Sequence, residues 1–173
     1  MNSKVKSLIS LIAGLAVFVA ADQLTKIAAV SRLADAPYIL IDGVLELRYL
    51  ENHGAAFGVF QGAQTFFLIV TVIFLAAALF VYLKIPAGRR FVPLKLTLIL
   101  MVSGAVGNLI DRVRFSYVRD FIYFSLIDFP IFNVADICVT TSAFLLAFLI
   151  LLYYKDEDLA FLSLKRTHGQ NEK

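Results

Sequence analysis

The stretch VRDFIYFSLIDFPIFNVAD, Val118 to Asp136, sets three aspartates among phenylalanines just ahead of a long apolar run. Carboxylates are costly at membrane depth, so such residues are functional candidates from the outset. Asp128, in Leu-Ile-Asp-Phe-Pro, has the type and place of a turn residue. Asp136 follows Asn133 by three residues, the spacing of a capping box at a helix start, where the helix dipole favours its charge. On local features, capping and chemistry fit Asp136 equally well. Asp120 has no cap to serve and sits among apolar neighbours. Two carboxylates held close in an apolar site cannot both ionise, so they share one proton. The ionised member then takes a proton from water as that water attacks a carbonyl carbon, and its partner protonates the carbonyl oxygen.

Little else in the chain is reactive. It has no Gly-x-Ser-x-Gly, no histidine pair for a metal and no phosphate loop. His168 lies in the tail, and His53 has the place of a turn residue. The single cysteine, Cys138, excludes an internal disulfide and a multi-cysteine metal site. In its apolar segment it reads as a small buried hydrophobe. Neither a metal nor a cofactor is expected. The 173 residues are 60% hydrophobic and 17% charged, against about 25% charged in soluble domains. A net charge of +3, with no basic run among aromatics, gives no reason to expect a nucleic-acid partner.

The elements that position these carboxylates follow from four apolar segments, at about 8–30, 65–83, 94–113 and 136–154. Each approaches the roughly 20 residues a membrane span requires. The first, preceded by Lys4 and Lys6, has some features of a cleaved signal peptide. Helical character continuing through Asp22 to Val30, with no clean small-x-small site, favours a retained span. Lys and Arg concentrate at the N-terminus, in the KIPAGRR connection and in the tail, which predicts both termini in the cytoplasm. Asp22 and Lys26 then fall toward the outer end of the first helix. Asn108, Asp111 and Arg112 end the third, and Asp120, Asn133 and Asp136 lead into the fourth. Asp22 and Lys26 stand four apart, the spacing of a helical ion pair worth about 0.3–0.5 kcal/mol when exposed. Asp111 adjoins Arg112 and Arg114 as an interfacial charge cluster. SGAVGN, residues 103–108, supplies small residues for close helix packing in lipid. Tyr38 to Ile41 and Val44 to Leu50 flank Asp42-Gly43 and predict a hairpin, part of a β cap over about 38–61. A longer tail, 155–173, reads as cytoplasmic and partly disordered.

DQLTK at Asp22 to Lys26, ENHGAAFG at Glu51 to Gly58, GNLIDR at Gly107 to Arg112, VRDFI at Val118 to Ile122 and FNVAD at Phe132 to Asp136 together resemble the bacterial lipoprotein signal peptidases, the signal peptidase II family. The resemblance covers nearly the whole chain. It implies an all-α membrane protein of a single domain, 1–173, with four transmembrane helices and a small extracytoplasmic β cap between helices 1 and 2. It implies an intramembrane aspartic endopeptidase of the bacterial cytoplasmic (inner) membrane, with its site on the extracytoplasmic side. The substrate would be a diacylglyceryl-modified prolipoprotein, cut just before the lipidated cysteine and held partly by membrane lipid. The family's catalytic pair falls on Asp120 and Asp136, leaving Asp128 a bystander. Asp22, Lys26, Asn52, Gly54, Asn108, Asp111, Arg112 and Asn133 would position the pair or the substrate. Asp136, at a helix start, would be the charged member and Asp120 the holder of the shared proton. A monomer is expected. The alternative from another class, a proton- or cation-coupled carrier, would place its carboxylates near the bilayer midplane and break its helices.

Overall fold

The computed structural model describes residues 2–54 and 64–162. Four helices carry the fold: α1 Ser3–Leu33, α2 Gln64–Lys84, α3 Val92–Phe115 and α4 Val134–Phe148. α4 continues as a π-helical turn through Leu149–Tyr153. Among the described residues, these four are long and apolar enough to cross a membrane. Their outward faces are hydrophobic, as lipid demands. Ile12, Val17, Leu24 and Ile27 of α1 are all more than half exposed, which would be costly in water and is neutral against acyl chains.

The central helix is α3, packed against α4, α1 and α2. It holds more buried positions than any other helix of the bundle, from Leu94 to Asp111. Glycine is required at two points along it. A Cβ on Gly104 would strike the Ala135 carbonyl oxygen and lie 2.8 Å from Val139, so α3 and α4 touch backbone to backbone. A Cβ on Gly107 would lie 2.5 Å from the Asp22 carboxylate. The small-residue stripe thus admits a carboxylate from α1 between the helices.

At one end of the bundle Leu11, Tyr82, Ile85, Leu94, Leu98, Ile99, Leu149 and Tyr154 form the main apolar core. Lys95 donates to Ser7 there, and the Arg90 guanidinium forks onto Asp158 and reaches the Tyr153 carbonyl. The start of α1, the α2–α3 connection and the end of α4 therefore share that end. Residues 155–162 of the tail fold back as a turn and the 3-10 helix Ala160–Leu162, with Leu159 and Phe161 against the core. Residues 163–173 lie outside the described residues.

The opposite end carries a sheet of β1 Tyr38–Ile41, β2 Leu45–Asn52 and β3 Val118–Tyr123, antiparallel in that order. The expected hairpin is present, turning at Gly43 with φ 65°, a left-handed value that glycine adopts without penalty. β2 extends to Asn52, two residues past the expected strand end. Positions 55–61 of the expected cap lie outside the described residues. The third strand corrects the sequence reading, which left Asp120 in a loop between helices 3 and 4. Val118, Arg119, Asp120 and Phe121 are all buried, so this strand is covered on both faces and lacks the alternation that marks a half-exposed one. Leu47, Tyr49, Ile122 and Val134 join Ala29, Leu33 and Phe121 in a second apolar cluster, which seats the sheet on α1 and α4.

Candidate active site

At the sheet-bearing end the polar side chains expected on separate elements meet. The capping box is complete: the Asp136 N–H donates to Asn133 Oδ1 at 3.0 Å, and the Asn133 N–H donates to Asp136 Oδ2 at 3.1 Å. That cap aims the remaining atoms of both residues. Asn133 Nδ2 donates to Asp120 Oδ1 at 2.6 Å and to Asn108 Oδ1 at 3.1 Å. Asn108 Nδ2 donates to Asp136 Oδ1 at 2.7 Å. From β2, Asn52 Nδ2 donates to Asp120 Oδ2 at 2.8 Å, while its own oxygen accepts from the Gly54 N–H at 3.0 Å. Three asparagine amides thus hold two aspartates that lie 16 positions apart in sequence. Capping and membership in the cluster are both true of Asp136, because the cap uses one of its oxygens and Asn108 the other.

Behind the amides lies a buried ionic network. Lys26 is fully buried; its ammonium donates to Asn108 Oδ1 at 2.9 Å and pairs with Asp22 at 3.0 Å and Asp111 at 3.3 Å. Asp22 also accepts the Ala135 N–H at 3.0 Å, at the start of α4. The Asp22–Lys26 pair is therefore not the weak exposed pair that its spacing suggests. Removing one partner of such a buried pair strands the other's charge. Asp111 differs from expectation too. Its partners are Lys26 and Arg119, whose guanidinium donates to Asp111 at 2.7 and 3.2 Å, rather than Arg112 and Arg114. The reason is helical phase, which turns Arg112 away from Asp111 toward the aspartates' cavity.

That cavity, about 450 Å³, is lined by Asn52, Gly54, Asn108, Arg112, Asp120 and Asp136 at its polar end and by Val118, Phe129–Phe132, Ile137, Val139, Thr140 and Thr141 elsewhere. The Arg112 guanidinium sits 5.1 Å from the Phe67 ring, and its Nε has no hydrogen-bond partner among the described residues. All ten residues singled out in the sequence thus belong to one constellation. Burial first, and next the charge of Asp136, pushes the Asp120 carboxyl up to about 7, against the bonds from Asn52 and Asn133 and the Lys26 charge. Asp128 lies outside the cluster, exposed, at φ 48° with its carboxylate bonded to the Tyr123 hydroxyl. His53 is exposed, edge-on to Tyr117. Cys138 is buried. Among the described residues, no group of three or more His, Cys, Asp or Glu could hold a metal.

Sequence reasoning missed Gln23 and Arg119. Gln23 donates to Asp22, Asp111 and the Gly107 carbonyl, and accepts from Arg119 at 2.8 Å. Both adjoin residues that were singled out, and a burial prediction for β3 would have exposed Arg119 as needing an anion.

Fold and site together define a polytopic membrane protein with a carboxylate pair, Asp120 buried and Asp136 half-buried, fixed by amides at one end of its bundle. The family model for signal peptidase (SPase) II matches residues 14–152, and the chain belongs to that family of membrane peptidases. A lipoprotein signal peptidase from Streptococcus thermophilus (strain CNRZ 1066) is 46% identical over 118 residues, 68% of this chain and 74% of the relative. One from Streptococcus pyogenes serotype M5 (strain Manfredo) is 40% identical over 147 residues, 83% of this chain and 92% of the relative. Two solved structures, each described as a bacterial membrane enzyme determined by the in meso method, match with a TM-score of 0.71. The first, at 2.3 Å resolution, is 30% identical and aligns 91% of this chain with 93% of its own. The second, at 1.9 Å, is 31% identical and aligns 84% with 94%.

Proposed function

We propose that this chain removes signal peptides from diacylglyceryl-modified prolipoproteins by cutting just before the lipidated cysteine, with Asp120 and Asp136 as the catalytic pair. The observation that carries this reading is the amide relay. Asn133, Asn108 and Asn52 hold both aspartates at the polar end of one cavity, and they do so through N–H donors that leave the carboxyls facing that space. In this mechanism Asp136 is the ionised member, at the N-terminus of α4 where the helix dipole stabilises a negative charge. It takes a proton from water as the water oxygen bonds to the scissile carbonyl carbon. Protonated Asp120 gives its proton to the carbonyl oxygen. Collapse of the tetrahedral gem-diol breaks the C–N bond, the amine leaving with the proton held by Asp136 while Asp120 recovers its own.

The remaining residues of the constellation position the pair and the substrate. Arg112 and the Gly54 backbone, both on the cavity wall, are placed to meet the peptide, and the apolar wall from Phe129 to Phe132 to meet side chains or acyl carbons. The chain acts as one integral membrane unit and a monomer. Both termini and the basic α2–α3 connection lie in the cytoplasm, which puts the sheet and the aspartates at the outer leaflet. A site at helix ends lets the diacylglyceryl group stay in lipid while the neighbouring peptide bond reaches the carboxyls.

The test is cleavage of a diacylglyceryl-modified precursor by purified protein in detergent with a chelator present, the products weighed by mass spectrometry. Cleavage at the bond before the modified cysteine is expected, with little or none of the unmodified precursor. A folded protein that leaves the modified precursor intact contradicts the reading.

A further inference from the structure

Arg119 belongs to none of the groups that touch the cavity, yet it is buried beside one that does. Its backbone N–H donates to Asp111 Oδ2 at 3.0 Å, and its guanidinium donates to both oxygens of the same carboxylate. One residue thereby clamps the end of α3 to the start of β3, across a turn whose Ser116 has φ 64°. Strand alternation sends the next side chain, Asp120, to the opposite face, toward Asn52 and Asn133. Charge adds a second role. Asp22, Lys26, Asp111 and Arg119 are two carboxylates and two cations in direct contact, and Lys26 joins them to the amide that holds Asp136.

We infer that Arg119 is a positioning residue for the carboxylate pair, which fixes β3 through Asp111 and completes an electrically neutral quartet beside the two aspartates. The inference rests on the catalytic reading of Asp120 and Asp136. The other charges near the pair are few. α3 contributes Arg112, β2 the exposed Glu51, α4 only Asp136 itself, and α2 has no charged residue before Lys84 at the far end. Removing the Arg119 charge therefore leaves the quartet with one net negative charge, while Arg112 stays where it is in every variant. A further negative charge on the pair becomes harder to form, so its protons are held to higher pH.

The experiment is the pH profile of kcat/KM on the diacylglyceryl-modified precursor for wild type, Arg119→Lys, Arg119→Gln and the double variant Arg119→Gln/Asp111→Asn. In Arg119→Gln both limbs are expected to move to higher pH by on the order of half to one unit. Arg119→Lys keeps the charge and loses the fork, so its limbs stay in place while kcat falls about tenfold. The double variant restores neutrality, and its limbs return to the wild-type pH. Limbs unmoved in Arg119→Gln, whatever its kcat, overturn the inference. Should that variant not fold, Asp111→Asn alone reads the same effect with the opposite sign. It leaves the network one charge positive, its limbs are expected to move to lower pH, and limbs unmoved there would also overturn the inference. A wild type without activity speaks against the proposed function instead, so the two failures are distinguishable.

Discussion

Asp120→Asn and Asp136→Asn are each expected to lower kcat by about 10²- to 10⁴-fold, the range removed with one member of an acid–base pair. Neither change should unfold the protein. Asparagine at 136 keeps an oxygen to accept the Asn133 N–H and close the capping box but sets an NH2 against the Asn108 amide donor, so its stability should fall by about 1 kcal/mol. Asp136→Ala leaves the Asn133 cap but removes both bonds the carboxylate accepts, from the Asn133 N–H and from Asn108, and should cost about 1–3 kcal/mol on top of the lost activity. Rates on modified precursor, set beside thermal unfolding in detergent, separate the two roles of this residue. Near-normal activity in Asp136→Asn would make Asp136 a helix cap and nothing more.

The largest effect on stability is expected at Lys26. Its ammonium is wholly buried and serves Asp22, Asp111 and Asn108 together. Lys26→Met nearly conserves shape but leaves two buried carboxylates with only the Arg119 guanidinium among them. Breaking a buried pair from one side costs about 3–5 kcal/mol, comparable with the whole stability of many domains. The variant should express poorly and unfold at markedly lower temperature. Any folded fraction should be slow, because Asn108 loses one of the two donors that orient its amide toward Asp136. A Lys26→Met protein with wild-type unfolding temperature would mean that the network is hydrated and its charges screened.

The four spans and the bunching of polar residues at one end could be read from the chain because lipid imposes a simple rule. Each helix must bury its backbone polar groups within itself and turn apolar side chains outward, so every span is a long unbroken run. The β1–β2 turn was legible for an equally local reason, an Asp-Gly pair between extended segments. β3 was not, since Val118 to Phe121 are buried on both faces and two of the four are charged. Its partner strand lies some 70 positions away, where no local pattern reports it. The spacing of Asp22 and Lys26 announced a pair, but the burial that makes it matter comes from Gly107, whose missing side chain admits the carboxylate. Asp111 shows the same limit, because its adjacent arginines were the visible partners, whereas its actual partners are Lys26 on α1 and Arg119 eight positions on, beyond a turn. The carboxylates proposed for chemistry were easier to find than Gln23 and Arg119 behind them. Carboxylates in apolar sequence are conspicuous, whereas an arginine in a short segment resembles an ordinary surface charge.

The central claim, one proton shared between two aspartates and resting on Asp120, is tested most directly by infrared difference spectra of the carboxyl groups as a function of pH. Burial and the Asp136 charge raise Asp120 to about 7, so its protonated form is present below that pH and lost as pH rises through it. The expected result is a protonated-carboxyl band at pH 6 that disappears between about pH 6 and 8, with cleavage declining in step. The band should be absent in Asp120→Asn and present in Asp136→Asn. A band that survives in Asp120→Asn and vanishes in Asp136→Asn, or two ionised carboxylates at pH 6, would contradict the account.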